Sequence, residues 1–317
     1  MKNASFSTIL EDLKISFRFA YKNVISYLLA LIGVFIVSVL LIIVVAAMIF
    51  IPTIFIIGIN NLEAFFLSFA GFGIGDVSNL AVGAVMFALP FIAPFMVAIG
   101  AMFGMGREIV ESEGTSAEGV FTWYKKRFLS LAGGGIVLFL FIIGPLLAVL
   151  VLGGSIYGDQ FWNIALISVG SANTANPIII GLLFIWFAIS TGLLSMLFPS
   201  IIDGYSVFES IKRSLRLSFE YFDRVFGVWL AFLLVLGVLA GPLFLIPMIL
   251  GFSGPLMVIA SAILIIYAIP AAIILVFFYL PAMTIGLTRV YMILTADDDD
   301  YETHLEDTSG PSFIGGV

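Results

Sequence analysis

The chain of 317 residues has no cysteine, one histidine and only 10% charged residues. Without cysteine there can be no disulfide, thiolate metal site, cysteine nucleophile or thioether-linked prosthetic group, and redox chemistry says nothing about the compartment. The single histidine, His304, stands in an acidic stretch with no partner. No nucleophile with an adjacent base, no metal-ligand cluster and no phosphate loop can be found, so no catalytic constellation, cofactor or metal is expected. Gly71-Phe-Gly-Ile-Gly75-Asp76 precedes no soluble helix, and a nucleotide fold needs one. A typical soluble domain carries about 25% charged residues. This chain has too little polar material to coat a soluble globule.

What is present is apolar: 62% of residues are hydrophobic and the mean hydropathy is +1.22. The chain is expected to be an all-α, polytopic transmembrane helical bundle. A crossing helix needs about 20 apolar residues, and five charge-free intervals are long enough: Asn23–Leu62, Val77–Gly106, Phe128–Gly158, Gln160–Ile202 and Val225–Thr288. The last holds 64 residues, too many for one helix, and Gly251-Phe-Ser-Gly-Pro255 supplies a turn inside it. Six spans follow. Asn176-Pro177 marks the start of the fourth, because Asn caps a helix and Pro suits its first turn. The first run lacks a short apolar region with a cleavage site, so it is expected to stay in the membrane.

Six spans leave seven flanking segments that alternate between two sides, and all 13 Lys and Arg fall on one of them. The other side carries only Glu63, Asp76 and Asp159. By the positive-inside rule both termini are expected in the cytoplasm of a cell whose plasma membrane the chain spans. The net charge of −7 is a property of the C-terminus, where seven acids lie between Asp297 and Asp307 without a base. Residues 296–317 are expected to form a disordered acidic tail beyond a single domain of 1–295. Such a run could collect divalent cations weakly or simply be solvated.

Each base-side segment before an outgoing span contains a capping-box pattern: Thr8-x-x-Glu11, Thr115-x-x-Glu118 and Ser206-x-x-Glu209. Ten residues after each cap stands a base, Arg18, Lys125 or Arg216. Phe6, Leu10, Leu13, Phe17 and Tyr21, and likewise Phe208, Ile211, Leu215, Phe219 and Phe222, step by three or four. That spacing predicts three amphipathic helices lying in the cytoplasmic interface. Three units of about 5–104, 112–200 and 203–290 follow, as a threefold internal repeat; caps and basic flanks also recur wherever chains enter a membrane, which is the alternative.

Two groups of residues are candidates for function. Lys125, Lys126 and Arg127 with Trp123, together with Arg18 and Arg216, could touch anionic lipid or a protein partner; they also fit a plain positive-inside anchor. Arg107, Glu108, Asp203 and Arg289 lie at span ends and would form a polar site if they converged. Pro90, Pro94, Pro199 and Pro281 kink the return spans, and Gly100-x-x-x-Gly104 and Gly133-Gly134-Gly135 allow close packing.

Segments such as Lys14-Ile-Ser-Phe-Arg-Phe-Ala-Tyr-Lys-Asn23 entering a span, and Ser206-Val-Phe-Glu-Ser-Ile-Lys-Arg-Ser-Leu-Arg-Leu-Ser-Phe-Glu-Tyr-Phe222 before another, resemble a broad group of uncharacterised prokaryotic six-span membrane proteins. That group is similar to the membrane-anchoring domain of some glycerophosphodiester phosphodiesterases. The resemblance covers most of the chain in pattern and includes no catalytic motif; a soluble barrel of about 250 residues has no room here, so hydrolase activity is not implied. The expected function is non-enzymatic: organising the inner leaflet or scaffolding a complex, with membrane lipids and a membrane or cytoplasmic protein as partners and no nucleic acid. The alternative is a pore or facilitator for a small solute, with Ser190, Thr191, Ser195 and Asn173 as its polar groups.

Overall fold

The computed structural model describes residues 5–58, 61, 77–157, 166–169, 172–175, 177–250 and 255–308. The order is α1 (Phe6–Lys22), α2 (Val24–Ile57), α3 (Val77–Ser112), α4 (Ala117–Lys126), α5 (Phe128–Tyr157), α6 (Pro177–Leu193), α7 (Leu197–Asp203), α8 (Val207–Glu220), α9 (Phe222–Leu250), α10 (Pro255–Ile274), a π-helical stretch (Leu275–Tyr279) and α11 (Leu280–Thr308). Two four-residue antiparallel strands, β1 (Leu166–Val169) and β2 (Ala172–Ala175), pair between α5 and α6. Six helical stretches are long and apolar enough to cross a membrane. The chain is a multi-pass integral membrane protein. α6 starts at Pro177, α9 ends at Leu250 and α10 starts at Pro255; the turn expected at Gly251-Phe-Ser-Gly-Pro255 falls on residues 251–254, which lie outside the described residues.

The six spans alternate in direction, because the basic residues at their ends are tied together by side-chain contacts. Lys22 meets Glu113, Arg107 meets Asp203, and Arg224 and Arg289 both meet Asp12. The same end of the bundle is its packed end. On α2 the last buried described residue is Ser38; α6 and α7 bury their side chains from Ser190 onward, and α9 only between Arg224 and Leu233. Toward the other end the described side chains are apolar and open to the surroundings, among them Phe55, Ile56, Leu182 and Val238. Lipid tails satisfy such surfaces, since acyl chains are as apolar as the side chains they touch.

Each of α1, α4 and α8 is joined to the following span at one residue: Asn23, Arg127 or Tyr221. All three joints keep the same two hydrogen bonds, one from their own N–H to the carbonyl four residues back and one from the N–H four residues on to their own carbonyl. Burial follows the same offsets. Three and seven residues before the joint stand buried Ala20 and Ser16, Tyr124 and Val120, or Ser218 and Ser214; four and seven after it stand Tyr27 and Ala30, Leu131 and Gly134, or Val225 and Val228. Packing is cyclic as well. α4 lies on α3 and α8 on α7, each on the span that has just returned, while α1 lies on α11, the last span to return.

Only one of the three capping boxes forms. Ser206 caps α8, with Glu209 reaching back to the Ser206 N–H at 3.0 Å. α1 instead starts at Ser5, whose hydroxyl accepts from the Thr8 N–H, so Thr8 lies inside the first turn. α4 starts after Ser116, and the Thr115 hydroxyl is drawn away to Glu108 at 2.6 Å. A capping hydroxyl would accept from the helix N–H groups, whereas the charge-assisted bond that the Thr115 hydroxyl donates to Glu108 directs the side chain elsewhere. From residue 296, where the sequence suggests a disordered tail, α11 continues to Thr308. Extending a formed helix needs no new nucleus, and no Gly or Pro occurs between Arg289 and Asp307.

The glycine pairs are packing seams. A Cβ on Gly104 would lie 2.2 Å from the Trp123 ring, one on Gly100 2.5 Å from Leu131, and one on Gly135 2.1 Å from Met96. The π-helical stretch has a sequence cause: Pro281 brings no N–H for the carbonyl four residues back, and widening the preceding turn re-registers the ladder.

Candidate functional site

The three returning helices α3, α7 and α11 touch one another at the packed end, and each contributes one polar residue to a shared cluster. Arg107 of α3 donates from Nη1 to Asp203 Oδ1 of α7 at 2.7 Å and from Nε to Glu111 at 2.8 Å. The Tyr291 hydroxyl of α11 donates to Asp203 Oδ2 at 2.8 Å. Asp203 therefore holds α3 and α11 at once. A cavity of about 300 Å³ opens beside this cluster, with Thr288 and Thr295 as its other polar lining. Pro199, Ile202 and Met292 make its apolar wall.

The four span-end residues do not form one site. Arg107 and Asp203 pair, as just described. Glu108 faces the other way, accepting from Trp123 Nε1–H at 2.8 Å and from Thr115, and Gly119 leaves the space it fills. Arg289 joins Asp12, which is 2% exposed on α1 and also accepts from Arg224 Nη2–H at 3.1 Å. Asp12, Arg224 and Tyr291 are absent from the sequence-based candidates because they lie 88 to 277 positions from the groups they bind, and no local spacing reveals that.

The short helices are oriented against the soluble-protein habit. α1 buries Asp12, Ser16 and Ala20, and α8 buries Ser210, Ser214, Leu217 and Ser218. Part of their apolar stripe points out, with Phe6 76% exposed, Phe208 82% and Phe219 69%, while Leu13, Phe17, Ile211 and Leu215 pack against the core. Three of these serines are held by backbone: Ser16 donates to the Asp12 carbonyl at 2.6 Å, Ser218 to that of Leu193 at 3.0 Å, and Ser214 donates to the Leu193 carbonyl at 2.8 Å and accepts from the Met196 N–H at 3.2 Å. In a membrane the outward direction is the apolar one, so small polar residues make the close helix contacts.

Of the candidate lipid contacts, Arg18, Lys125, Lys126 and Arg216 are exposed. Lys126 lies 5.1 Å over the half-buried Trp123 ring, and Arg216 pairs with Glu220 at 3.3 Å. Arg127 is drawn inward, half-buried at the joint and against Gly204. Tyr124 between them is buried, and burial pushes its hydroxyl up. The hydroxyls proposed for a solute path turn back on their own helix: Ser190 and Thr191 donate to the Phe187 carbonyl and Ser195 to that of Gly192. Asn173 pairs with Ser168 in the strand pair.

No protein-family model, no curated protein and no solved structure matches this chain.

Proposed function

We propose that this protein is a non-enzymatic organiser of the inner leaflet of the plasma membrane, or a scaffold within it, with both termini in the cytoplasm. Its working parts are α1, α4 and α8, read as three interfacial helices arranged as a threefold repeat and closed into a ring by α1 against α11. The observation that carries this reading is the part of the apolar stripe that α1 and α8 leave exposed. Their serine-rich faces are consumed by the bundle while Phe6, Leu10, Tyr21, Phe208 and Phe219 are offered to the surroundings. Exposed Arg18, Lys125, Lys126 and Arg216 flank these aromatics, the combination by which helices settle at an anionic interface. Matching joints, matching burial offsets and cyclic packing support the repeat. The likeness to a membrane-anchoring domain agrees with such a role. A facilitator has less support, because Ser190 and Ser195 give their hydroxyl protons to backbone carbonyls and both side chains are buried.

The test is lipid selection. Native mass spectrometry of the full chain in nanodiscs of mixed composition is expected to find phosphatidylglycerol retained over phosphatidylcholine. Changing Arg18, Lys125, Lys126 and Arg216 together to Gln is expected to abolish that preference while leaving the fold intact. A preference that survives the fourfold change removes the role. Arg127 is left alone in this experiment because its position is structural.

A further inference from the structure

The cavity among the returning helices carries both signs of charge on one wall. Arg107 commits Nε to Glu111 and Nη1 to Asp203, and the two oxygens of Asp203 accept from Arg107 and Tyr291. What a ligand must carry follows from this pairing. A simple anion drawn to Arg107 comes up against Asp203, with Glu111 behind it. A simple cation drawn to Asp203 comes up against Arg107. Each gain is offset by a like-charge contact at similar distance. Only a molecule carrying both charges a few ångström apart satisfies both groups together.

The remaining lining narrows the choice. Thr288 donates its hydroxyl to the Thr284 carbonyl at 2.7 Å and Thr295 donates to that of Tyr291 at 3.0 Å. Both threonines thus keep only acceptor lone pairs for a ligand. With the Asp203 carboxylate they favour an ammonium that still has N–H groups over a methylated one. Met292 and Ile202 give the apolar contact that a short methylene chain needs.

We propose that this cavity binds a zwitterion, its primary ammonium on Asp203 and the two threonines and its phosphate or carboxylate on Arg107. The chemistry has two sources: the phosphoethanolamine headgroup of a membrane lipid, or a free small zwitterion from the aqueous side. The site is separate from the exposed bases of α1, α4 and α8, so it stands or falls independently of them.

The experiment uses the full chain in nanodiscs containing equal phosphatidylethanolamine, phosphatidylcholine and phosphatidylglycerol, read by native mass spectrometry. Calorimetric titration with free phosphoethanolamine is run in parallel. A lipid source gives one retained phosphatidylethanolamine, favoured roughly tenfold over phosphatidylcholine, as expected for one lost charge-assisted hydrogen bond. An aqueous source gives saturable binding of phosphoethanolamine without lipid selection. In either case Met292→Trp, which fills the cavity, is expected to abolish the binding and Thr295→Val, which is nearly isosteric and removes one acceptor, to weaken it roughly tenfold, while the unfolding temperature stays near that of the wild type. Gln at Lys125 and Lys126 is expected to leave it unchanged. Equal retention of the three lipids together with no heat from phosphoethanolamine overturns the proposal, as does binding that survives both cavity variants.

Discussion

Asp12 and Arg289 are separated by 277 positions and joined by a hydrogen bond. Arg224 binds the same carboxylate from α9 at 3.1 Å, so one acid on the first helix fastens the last two spans. The side chains of Asp12 and Arg224 are only 3% and 5% exposed. Their desolvation is largely irreversible while the fold persists, and the contact works only as a set. Asp12→Ala leaves two guanidinium groups facing each other without their carboxylate. Removal of one member of a buried pair costs about 3–5 kcal/mol. Thermal unfolding in detergent, followed by tryptophan fluorescence, is expected to show a large fall for Asp12→Ala. Arg216→Gln, which breaks only an exposed pair with Glu220, is expected to cost less than about 0.5 kcal/mol. Equal effects would mean that α1 is not anchored through Asp12.

Glycine substitutions separate seams from free surface. Gly104→Ala forces a methyl to within 2.2 Å of the Trp123 ring, whereas nothing lies within 4 Å of a Cβ on Gly237. Overpacking of this kind costs about 1–3 kcal/mol, while an unobstructed Gly→Ala in a helix is neutral or stabilising by up to about 1 kcal/mol. The two unfolding temperatures are expected to move in opposite directions or, at least, Gly104→Ala alone to fall. The Trp123 emission should shift with it. A silent Gly104→Ala would show that α3 and α4 do not approach as described.

How far the sequence was legible depends on which physical signal a feature leaves. Spans leave a strong one, since bilayer thickness dictates run length, and the six long apolar helices, the Pro177 start and the helix start at Pro255 could be read directly. The Ser206 cap could be read for the same reason: donor and acceptor are three residues apart. The Thr8 and Thr115 caps misled because a three-residue spacing does not reveal that Ser5 stands earlier or that Glu108 competes for Thr115. Helical periodicity did not reveal that each apolar series would divide, Leu13, Phe17, Ile211 and Leu215 packing against the core and Phe6, Phe208 and Phe219 lying exposed. The meeting of Arg107, Asp203 and Tyr291 is set by how three distant helices pack, so each residue alone looked like an ordinary span end.

The one capping box that forms makes a local prediction in pH. The Ser206 hydroxyl, then its backbone N–H, hold the Glu209 carboxyl below the usual carboxylate range. A depressed folded-state value contributes stability above the unfolded value, about 4.3 for glutamate, and that contribution is lost as pH falls through the folded value. Hydrogen exchange in the peptide containing residues 206–212 is expected to accelerate as pH is lowered below 4, after correction for intrinsic exchange. Glu209→Gln is expected to remove most of this extra pH dependence. If both proteins respond alike, the cap does not hold this end of α8.

The absence of cysteine gives a direct test of orientation, because any cysteine introduced is the only one in the chain. Ser7 is exposed on α1, and the exposed Lys212 lies on α8; if all basic segments share one side, both report the same compartment. Gly158, outside the described residues, stands between α5 and β1 in sequence, where alternation of the spans predicts the opposite side. With a membrane-impermeant maleimide and intact cells, Gly158→Cys is expected to be labelled while Ser7→Cys and Lys212→Cys are labelled only after permeabilisation. The alternation of six spans requires that Ser7 and Lys212 behave identically whatever the absolute direction, so a difference between them would overturn the span count. Inverted labelling of all three would keep the bundle but reverse its orientation, placing the ring of short helices at the outer leaflet and removing the inner-leaflet role.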